Sequence, residues 1–479
     1  MNYRMIAQML GRVISIEAGL LLIPMCVGLC YGESPVPFLW VIALCAAVGG
    51  GLWRVRPINK DMYAREGFVI VSLAWILLSA FGALPFVLSG DIPSYVDALF
   101  ETVSGFTTTG ATIVNDIEGM SRGCMFWRCL THWVGGMGVL VFMMAILPMS
   151  GEYSMHIMRA EVPGPTVGKL VPRARKTARI LYLIYIVMTL IEVILLLCGG
   201  MDLYEAVIHS FSTAGTGGFS NKAASAGAYD SVYIEMVIAV FMMLFGINFN
   251  LYFFAVTGRI KDALKNSELW VYLGIIAFAT LTIGWNIMPI MGSFGRSLRY
   301  SFFQVSSVIT TTGMATINYD PWPQYSRALI VIITFLGASA GSTGGGIKTS
   351  RIMILFKAAK AEISRLLRPR SVNKVQMDGR TVDDKTVHCT LVFLFLYVAI
   401  ILIATLIVSF DGYDFTTNFT AALTCMSNVG PGLNVVGPAG NFFGFSVLSK
   451  LTLTLCMLLG RLEIFPVLIL FAPALWKKS

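Results

Sequence analysis

A chain of 479 residues that is 56% hydrophobic and only 13% charged, with a mean hydropathy of +0.75, carries too little polar surface to cover a soluble globule of its size. Its net charge of +9 would suggest nucleic acid in a soluble protein, but here the lysines and arginines cluster between apolar stretches. Composition therefore excludes a soluble fold, gives no reason to invoke a nucleic-acid partner, and makes membrane lipid the solvent.

The first apolar stretch, starting near Val13, has no small-residue cleavage site after a short apolar core, so it reads as a retained helix. Residues 1–60 are expected to form an N-terminal transmembrane helix pair. Val69 to Leu88, Phe126 to Leu147, Ile180 to Cys198 and Leu391 to Phe410 each come near the length that crosses roughly 30 Å of hydrocarbon at about 1.5 Å per residue. An isolated span must satisfy its own backbone, so these are helices. The basic segments are Arg4 and Arg12, Arg54 to Arg65, Arg159 to Arg179, Arg259 to Lys265, Lys357 to Lys385, and Lys477 with Lys478. All fall on one side if about ten helices span the membrane with both termini cytoplasmic. Tyr31 to Pro37 and Asp411 to Asp414, on the other side, are short and neutral or acidic. Residues 151–178 and 358–386 read as basic linkers without a domain of their own. The nine cysteines have no paired ligand spacing and read as small core hydrophobes.

Aligning the chain with itself gives its most informative regularity. Four stretches share one plan: DALFETVSGFTTTGAT from Asp97, EAVIHSFSTAGTGGFS from Glu205, YSFFQVSSVITTTGMAT from Tyr300 and NFTAALTCMSNVGPG from Asn418. The intervals Ala98 to Gly110, Ala206 to Gly218, Ser301 to Gly313 and Asn418 to Gly430 are equal, and the same register aligns Ser104, Ser212, Ser307 and Thr424. It also selects Gly218 over Gly215 and Gly217. A helix of about twelve residues rises only about 18 Å, so each stretch enters the membrane partway and a polar loop must carry the chain back out. Irregular backbone at that depth survives only where it is buried in protein or lines water. The expectation is an all-α membrane protein of four pseudo-symmetric units, each helix, pore helix, filter loop and helix, around a central pore. The units are placed at residues 67–150, 178–257, 269–360 and 387–475.

Backbone carbonyls aimed at an axis can replace the hydration shell of a potassium ion, and glycine permits the positive φ that this requires. The filter is therefore expected at Thr108, Thr109 and Gly110; Thr216, Gly217 and Gly218; Thr311, Thr312 and Gly313; and Asn428, Val429 and Gly430. The pore helices would aim the partial negative charge of their C-termini at the ion below. In the third unit GSTGGGIKT, Gly341 to Thr349, holds too much glycine to stay helical. Gly341, Ser342, Thr343, Gly344, Gly345, Gly346 and Lys348 are thus expected in an intramembrane gating loop beneath the filter. A phosphate-binding reading fails, because Ile347 is inserted into the GxxxxGK[ST] pattern and no soluble strand precedes it. In the fourth unit Arg461 and Glu463 lie in an apolar run, where ionisable groups face a cavity or a partner. Two residues apart, they do not share a helix face. Arg461 is expected to face the ion path as a barrier, and Glu463 to pair elsewhere. His132, His156, His209 and His388 have no ligand spacing and no catalytic constellation is legible, so neither an enzyme nor an organic cofactor is expected. WRCLTHWVGGMG, from Trp127, reads as close helix packing.

TTTGAT at Thr107, TGGFS at Thr216, TTTGMAT at Thr310, SNVGPG at Ser427, GSTGGGIKTSR and GRLEIFP together resemble the Trk/Ktr/HKT superfamily of potassium transporters, most closely its bacterial TrkH branch. The resemblance runs along essentially the whole chain, including the extra N-terminal helix pair. It implies a homodimer with one potassium pore per subunit in the bacterial inner membrane, gated by a cytoplasmic TrkA-like nucleotide-binding regulatory ring. The fourth loop departs from the TTTG form, since Asn428 and Val429 replace threonines. Two rival readings are a symporter coupling potassium to protons or sodium, with Glu463 ahead of Glu101 and Glu192 as the coupling carboxylate, and the channel-like subunit of an ATP-driven pump.

Overall fold

The computed structural model describes residues 1–57, 64–138, 174–368 and 374–473. The chain opens on α1 (Tyr3–Cys30) and α2 (Val36–Trp53). Their crossing is set by small residues: a Cβ on Gly11 would strike the backbone of Trp53, and one on Gly49 would strike Ser15.

The elements then run four times in the same order. The first set is α3 (Ala64–Gly82), α4 (Leu84–Ser89), α5 (Tyr95–Phe106) and α6 (Arg122–Met137). The second is α7 (Ala174–Cys198), α8 (Leu203–Gly215), α9 (Val232–Phe245), α10 (Phe249–Val256) and the short α11 (Ile260–Leu264). The third is α12 (Ser267–Met291), α13 (Phe294–Ile309), α14 (Gln324–Leu336) and α15 (Thr349–Leu367). The fourth is α16 (Asp384–Val408), α17 (Phe415–Ser427), α18 (Val447–Arg461) and α19 (Phe465–Leu470).

The long helices use lipid as solvent. On α16, Phe393, Tyr397, Ile401, Ala404 and Val408 recur at helical spacing and are buried, whereas Phe395, Leu402 and Leu406 on the other face are exposed.

Among the described residues six helices are long and apolar enough to span, or seven if the bent pair α9 and α10 counts as one, fewer than the ten expected. The reason is that the second helix of the later sets is interrupted as well, not only that of the third. α9 and α10 meet at 89° around Gly246, where a Cβ would strike the Tyr272 hydroxyl. α14 and α15 are separated by residues 337–348, and α18 and α19 by Leu462 to Ile464, with Glu463 and Ile464 at φ 57° and 67°. α6 ends on Gly138 at φ 77°, and the rest of the expected span to Leu147 lies outside the described residues.

The linker 358–386 contains a short hairpin, β1 (Gln376–Met377) paired with β2 (Arg380–Thr381), turned by Asp378 and Gly379 at φ 49° and 75°. The expectation that the cysteines are core residues is corrected in part. All nine cysteines are free; Cys45, Cys124, Cys129, Cys425 and Cys456 are buried, but Cys26, Cys30 and Cys198 lie on exposed apolar helix faces rather than in the core.

Candidate functional site

Each short helix starts where a polar residue stops the preceding chain. Ser94, Asp202 and Asp414 accept a backbone N–H from the first turns of α5, α8 and α17; α13 begins after Ser293 without such a bond. Each ends through the same pair of backbone bonds. Thr109, Gly217, Thr312 and Val429 donate their amides to the carbonyls of Ser104, Ser212, Ser307 and Thr424 at 2.8, 2.8, 2.8 and 2.9 Å. Thr108, Thr216, Thr311 and Asn428 donate to Gly105, Thr213, Val308 and Cys425.

These bonds set a repeated backbone geometry. Thr108, Thr216, Thr311 and Asn428 have φ of 55°, 55°, 60° and 57°, and the glycines two residues later, Gly110, Gly218, Gly313 and Gly430, have 77°, 84°, 80° and 92°. The residue between has negative φ in every loop. Such alternation turns successive carbonyls toward the same side, as a row of ion-coordinating oxygens requires.

The loops also touch in cyclic order. A Cβ on Gly110 would strike the carbonyl of Gly217, one on Gly218 that of Thr312, one on Gly313 that of Val429, and one on Gly430 that of Thr109. The four loops therefore close on themselves, each glycine against the carbonyl of the next loop. All four glycines line one cavity of about 130 Å³ that also receives Thr112, Asn115, Ser220 and Asn441. The threonines and Asn428 are buried behind them.

On the other side of the ring lies the glycine-rich segment of the third set. The break is longer than expected, beginning at Gly337 (φ 70°), while Thr349 already belongs to α15. Gly345 donates its amide to Thr311 Oγ1 at 2.6 Å, and Gly344 and Gly345 lie where a Cβ would meet the carbonyls of Thr310 and Ser427. The apex of the segment is thus seated against the inner ends of the third and fourth loops. Lys348 is buried and donates from Nζ to the Gly344 carbonyl. Arg461 donates to the Thr343 carbonyl at 2.7 Å and to the carbonyls of Gly135 and Gly136, so its guanidinium joins the segment to the end of α6.

Glu463 turns away from Arg461 and forms a two-point pair with Arg351 of α15, at 2.5 and 3.2 Å. Removing one partner of such a pair leaves the other charge poorly solvated. Glu463→Gln should lower the thermal unfolding midpoint in detergent by an amount equivalent to roughly 3 kcal/mol. An unchanged midpoint would mean that the pair contributes nothing to holding α15 against the break in the fourth set.

The sequence reading assigns no role at this site to Glu268 or His132, and it places Asn428 in the filter without its contact to another loop. Asn428 donates from Nδ2 both to Thr109 Oγ1 and to the Met457 carbonyl at 3.0 Å, tying the fourth loop to the first. Glu268, in the first turn of α12, accepts from the amides of Ala340 and Ser350 at 2.7 and 3.0 Å and so clamps both ends of the glycine-rich segment. His132 stacks on Phe219 at 4.1 Å and backs Gly217, where any Cβ would strike its ring. Only Glu268 had a local cue, a carboxylate opening an otherwise apolar span.

The sequence profile of the TrkH family, described as a cation transport protein, matches residues 35–291 and 268–478. The chain is 35% identical to the Trk system potassium uptake protein TrkH of Escherichia coli K12 and 34% identical to that of Halomonas elongata, with all of both chains covered in each case. Its fold is similar to the crystal structure of the potassium transporter TrkH from Vibrio parahaemolyticus, with a TM-score of 0.90 and 32% identity over the full length of both chains.

Proposed function

Since this chain belongs to the TrkH family of cation transport proteins, we propose that it is the potassium-conducting subunit of a Trk uptake system and that the ring of four loops is its selectivity filter. The single observation that carries this reading is the cyclic contact of Gly110, Gly218, Gly313 and Gly430 with the carbonyls of Gly217, Thr312, Val429 and Thr109. A dehydrated cation on the common axis is coordinated by main-chain oxygens from all four units, residues 67–150, 178–257, 269–360 and 387–475. Thr108, Thr109, Thr311 and Thr312 add hydroxyl oxygens at the inner end, and the C-termini of α5, α8, α13 and α17 supply partial negative charge there.

The segment from Gly341 to Thr349 is the gate. It sits between the filter and the cytoplasm, and α15 leads from it into the basic linker, where a cytoplasmic regulatory ring of the TrkA type would pull. Arg461 holds the gate in place through the Thr343 carbonyl. The protein works as a homodimer in the bacterial inner membrane, with one pore per subunit and both termini cytoplasmic. Potassium is the cargo, and no resident cofactor is needed for passive flow down the electrochemical gradient.

A coupled symporter would need a carboxylate able to exchange protons inside the membrane. Glu463 and Glu101 are both in ion pairs, with Arg351 and Arg128. Glu192 on α7 and Glu17 on α1 are fully buried, with no hydrogen-bond partner on either oxygen among the described residues; of the carboxylates weighed from the sequence, Glu192 replaces Glu463 as the group on which coupling would turn.

The purified chain in liposomes should take up potassium against a background of sodium, with no proton or sodium gradient, whenever the potential is negative inside. Glu192→Gln should leave that flux unchanged. Flux that requires a proton gradient in the parent and loses the requirement in Glu192→Gln would overturn the channel reading in favour of symport.

A further inference from the structure

A buried ion pair stands behind the outgoing strands of the first two loops. Glu101 on α5 and Arg128 on α6 are 1% and 2% exposed, with Arg128 Nε 2.6 Å from Glu101 Oε1. Glu101 accepts two further bonds, from Thr112 Oγ1 and from the Ile113 amide, both at 2.9 Å. Arg128 donates from Nη1 to the Ser220 carbonyl at 3.1 Å, and its guanidinium lies 3.5 Å from the centre of the Phe219 ring. Thr112 and Ile113 follow Gly110 in the first loop; Phe219 and Ser220 follow Gly218 in the second. One pair of charges therefore ties together the strands that leave two adjacent glycines.

The equivalent positions in the other sets, in the register of Ala98, Ala206, Ser301 and Asn418, are His209, Gln304 and Ala421. His209 Nε2 is 3.1 Å from Ser220 Oγ, and Gln304 donates to the Ile317 carbonyl at 3.4 Å. In the fourth set the neighbouring Thr420 accepts from the Leu433 amide at 3.1 Å. Each of these three holds only the strand of its own loop. In the first set the holding residue is charged, and through Arg128 it reaches the next loop.

We propose that the Glu101–Arg128 pair is a positioning brace that fixes the spacing of the first and second loops and so sets ion discrimination on that side of the ring. Neither residue touches the axis; both act through the strands they hold. Arginine suits the task because its planar fork of donors serves Glu101 with one N–H and Ser220 with another while its face packs on Phe219. A lysine ammonium at the same place keeps the charge but cannot hold both partners and the ring in one geometry. The proposal rests on the ring being the filter.

The test is the potassium-to-sodium permeability ratio of the full chain in liposomes, read from bi-ionic reversal potentials. Arg128→Lys and Glu101→Gln should each lower the ratio by about fivefold or more, because the strands lose their common anchor. Glu235→Gln, which removes the Glu235–Arg299 pair joining α9 to α13 away from the loops, should leave it unchanged. If Glu101→Gln does not fold, Arg128→Lys and Glu101→Asp keep both charges and decide the matter. Folded variants with the parent's ratio, including variants that are only less stable or less abundant, overturn the brace while leaving the filter reading intact. A parent protein with no preference for potassium overturns the filter reading itself.

Discussion

Gly110→Ser should reduce the potassium-to-sodium permeability ratio by about tenfold or more, in protein that still folds and inserts. Two costs meet at this position. At φ 77° an L residue is strained by about 1–2 kcal/mol. In addition, the serine Cβ would fall on the carbonyl of Gly217, and that oxygen belongs to the neighbouring loop of the ring. The clash is relieved only by moving a carbonyl of the ring away from its place, so on the proposed function the damage appears in ion discrimination more than in stability. Gly90 separates the two costs, since its φ is 85° but a Cβ there would meet open space. Gly90→Ser should carry the strain and keep the parent's selectivity. Bi-ionic reversal potentials of both variants check the argument. A parental ratio in Gly110→Ser would mean that the close approach of the loops does not determine which ion passes.

The regular part of this site was legible because it repeats. Equal intervals from Ala98, Ala206, Ser301 and Asn418 to a glycine give the register in which Ser104, Ser212, Ser307 and Thr424 accept the same hydrogen bond. Arg461 and Glu463 do bind apart, one to the Thr343 carbonyl and the other to Arg351, but helix spacing is not the cause: α18 ends at Arg461, and Glu463 lies in the break at φ 57°. What could not be read was anything that depends on which loop lies beside which. Asn428 looks like a departure from the threonine pattern until its amide is placed between Thr109 and Met457. Glu101, ranked as a coupling carboxylate by its residue type, is bound by Arg128 and by Thr112 and Ile113 of the outgoing strand.

The helix breaks divide along the same line. Four glycines in nine residues from Gly341 betray the third one from propensity alone. The bend at Gly246 does not, because one glycine in an apolar helix is tolerated. It is fixed by its surroundings: Gly246 is crowded by Tyr272, and its carbonyl accepts from the Ser339 amide at 3.1 Å. The second and third breaks are thus one structure, with the bend of the second set serving as a seat for the segment of the third.

That seat determines the second large effect. Removing Gly344 to Gly346 should raise potassium flux in the absence of any cytoplasmic partner by about tenfold or more, on the proposal that this segment obstructs the path beneath the ring. The deleted residues are the apex that meets Thr311 Oγ1 and the carbonyls of Thr310 and Ser427. The anchors on its N-terminal side remain: Ser339 on Gly246, Gly341 on the Phe249 amide at 3.0 Å, and Ala340 on Glu268. So does the anchor of Ser350 on Glu268 on the other side. Because both ends stay fixed, the shortened segment is drawn toward its anchors and away from the ring; the third loop loses the Gly345 amide on Thr311 Oγ1, while the backbone bonds within each loop remain. The expected signature is therefore the converse of Gly110→Ser: partner-independent flux with the potassium-to-sodium ratio preserved. Flux that still rises with the regulatory ring by the parent's factor would take the gating role away from this segment and leave it as packing between the second and fourth sets.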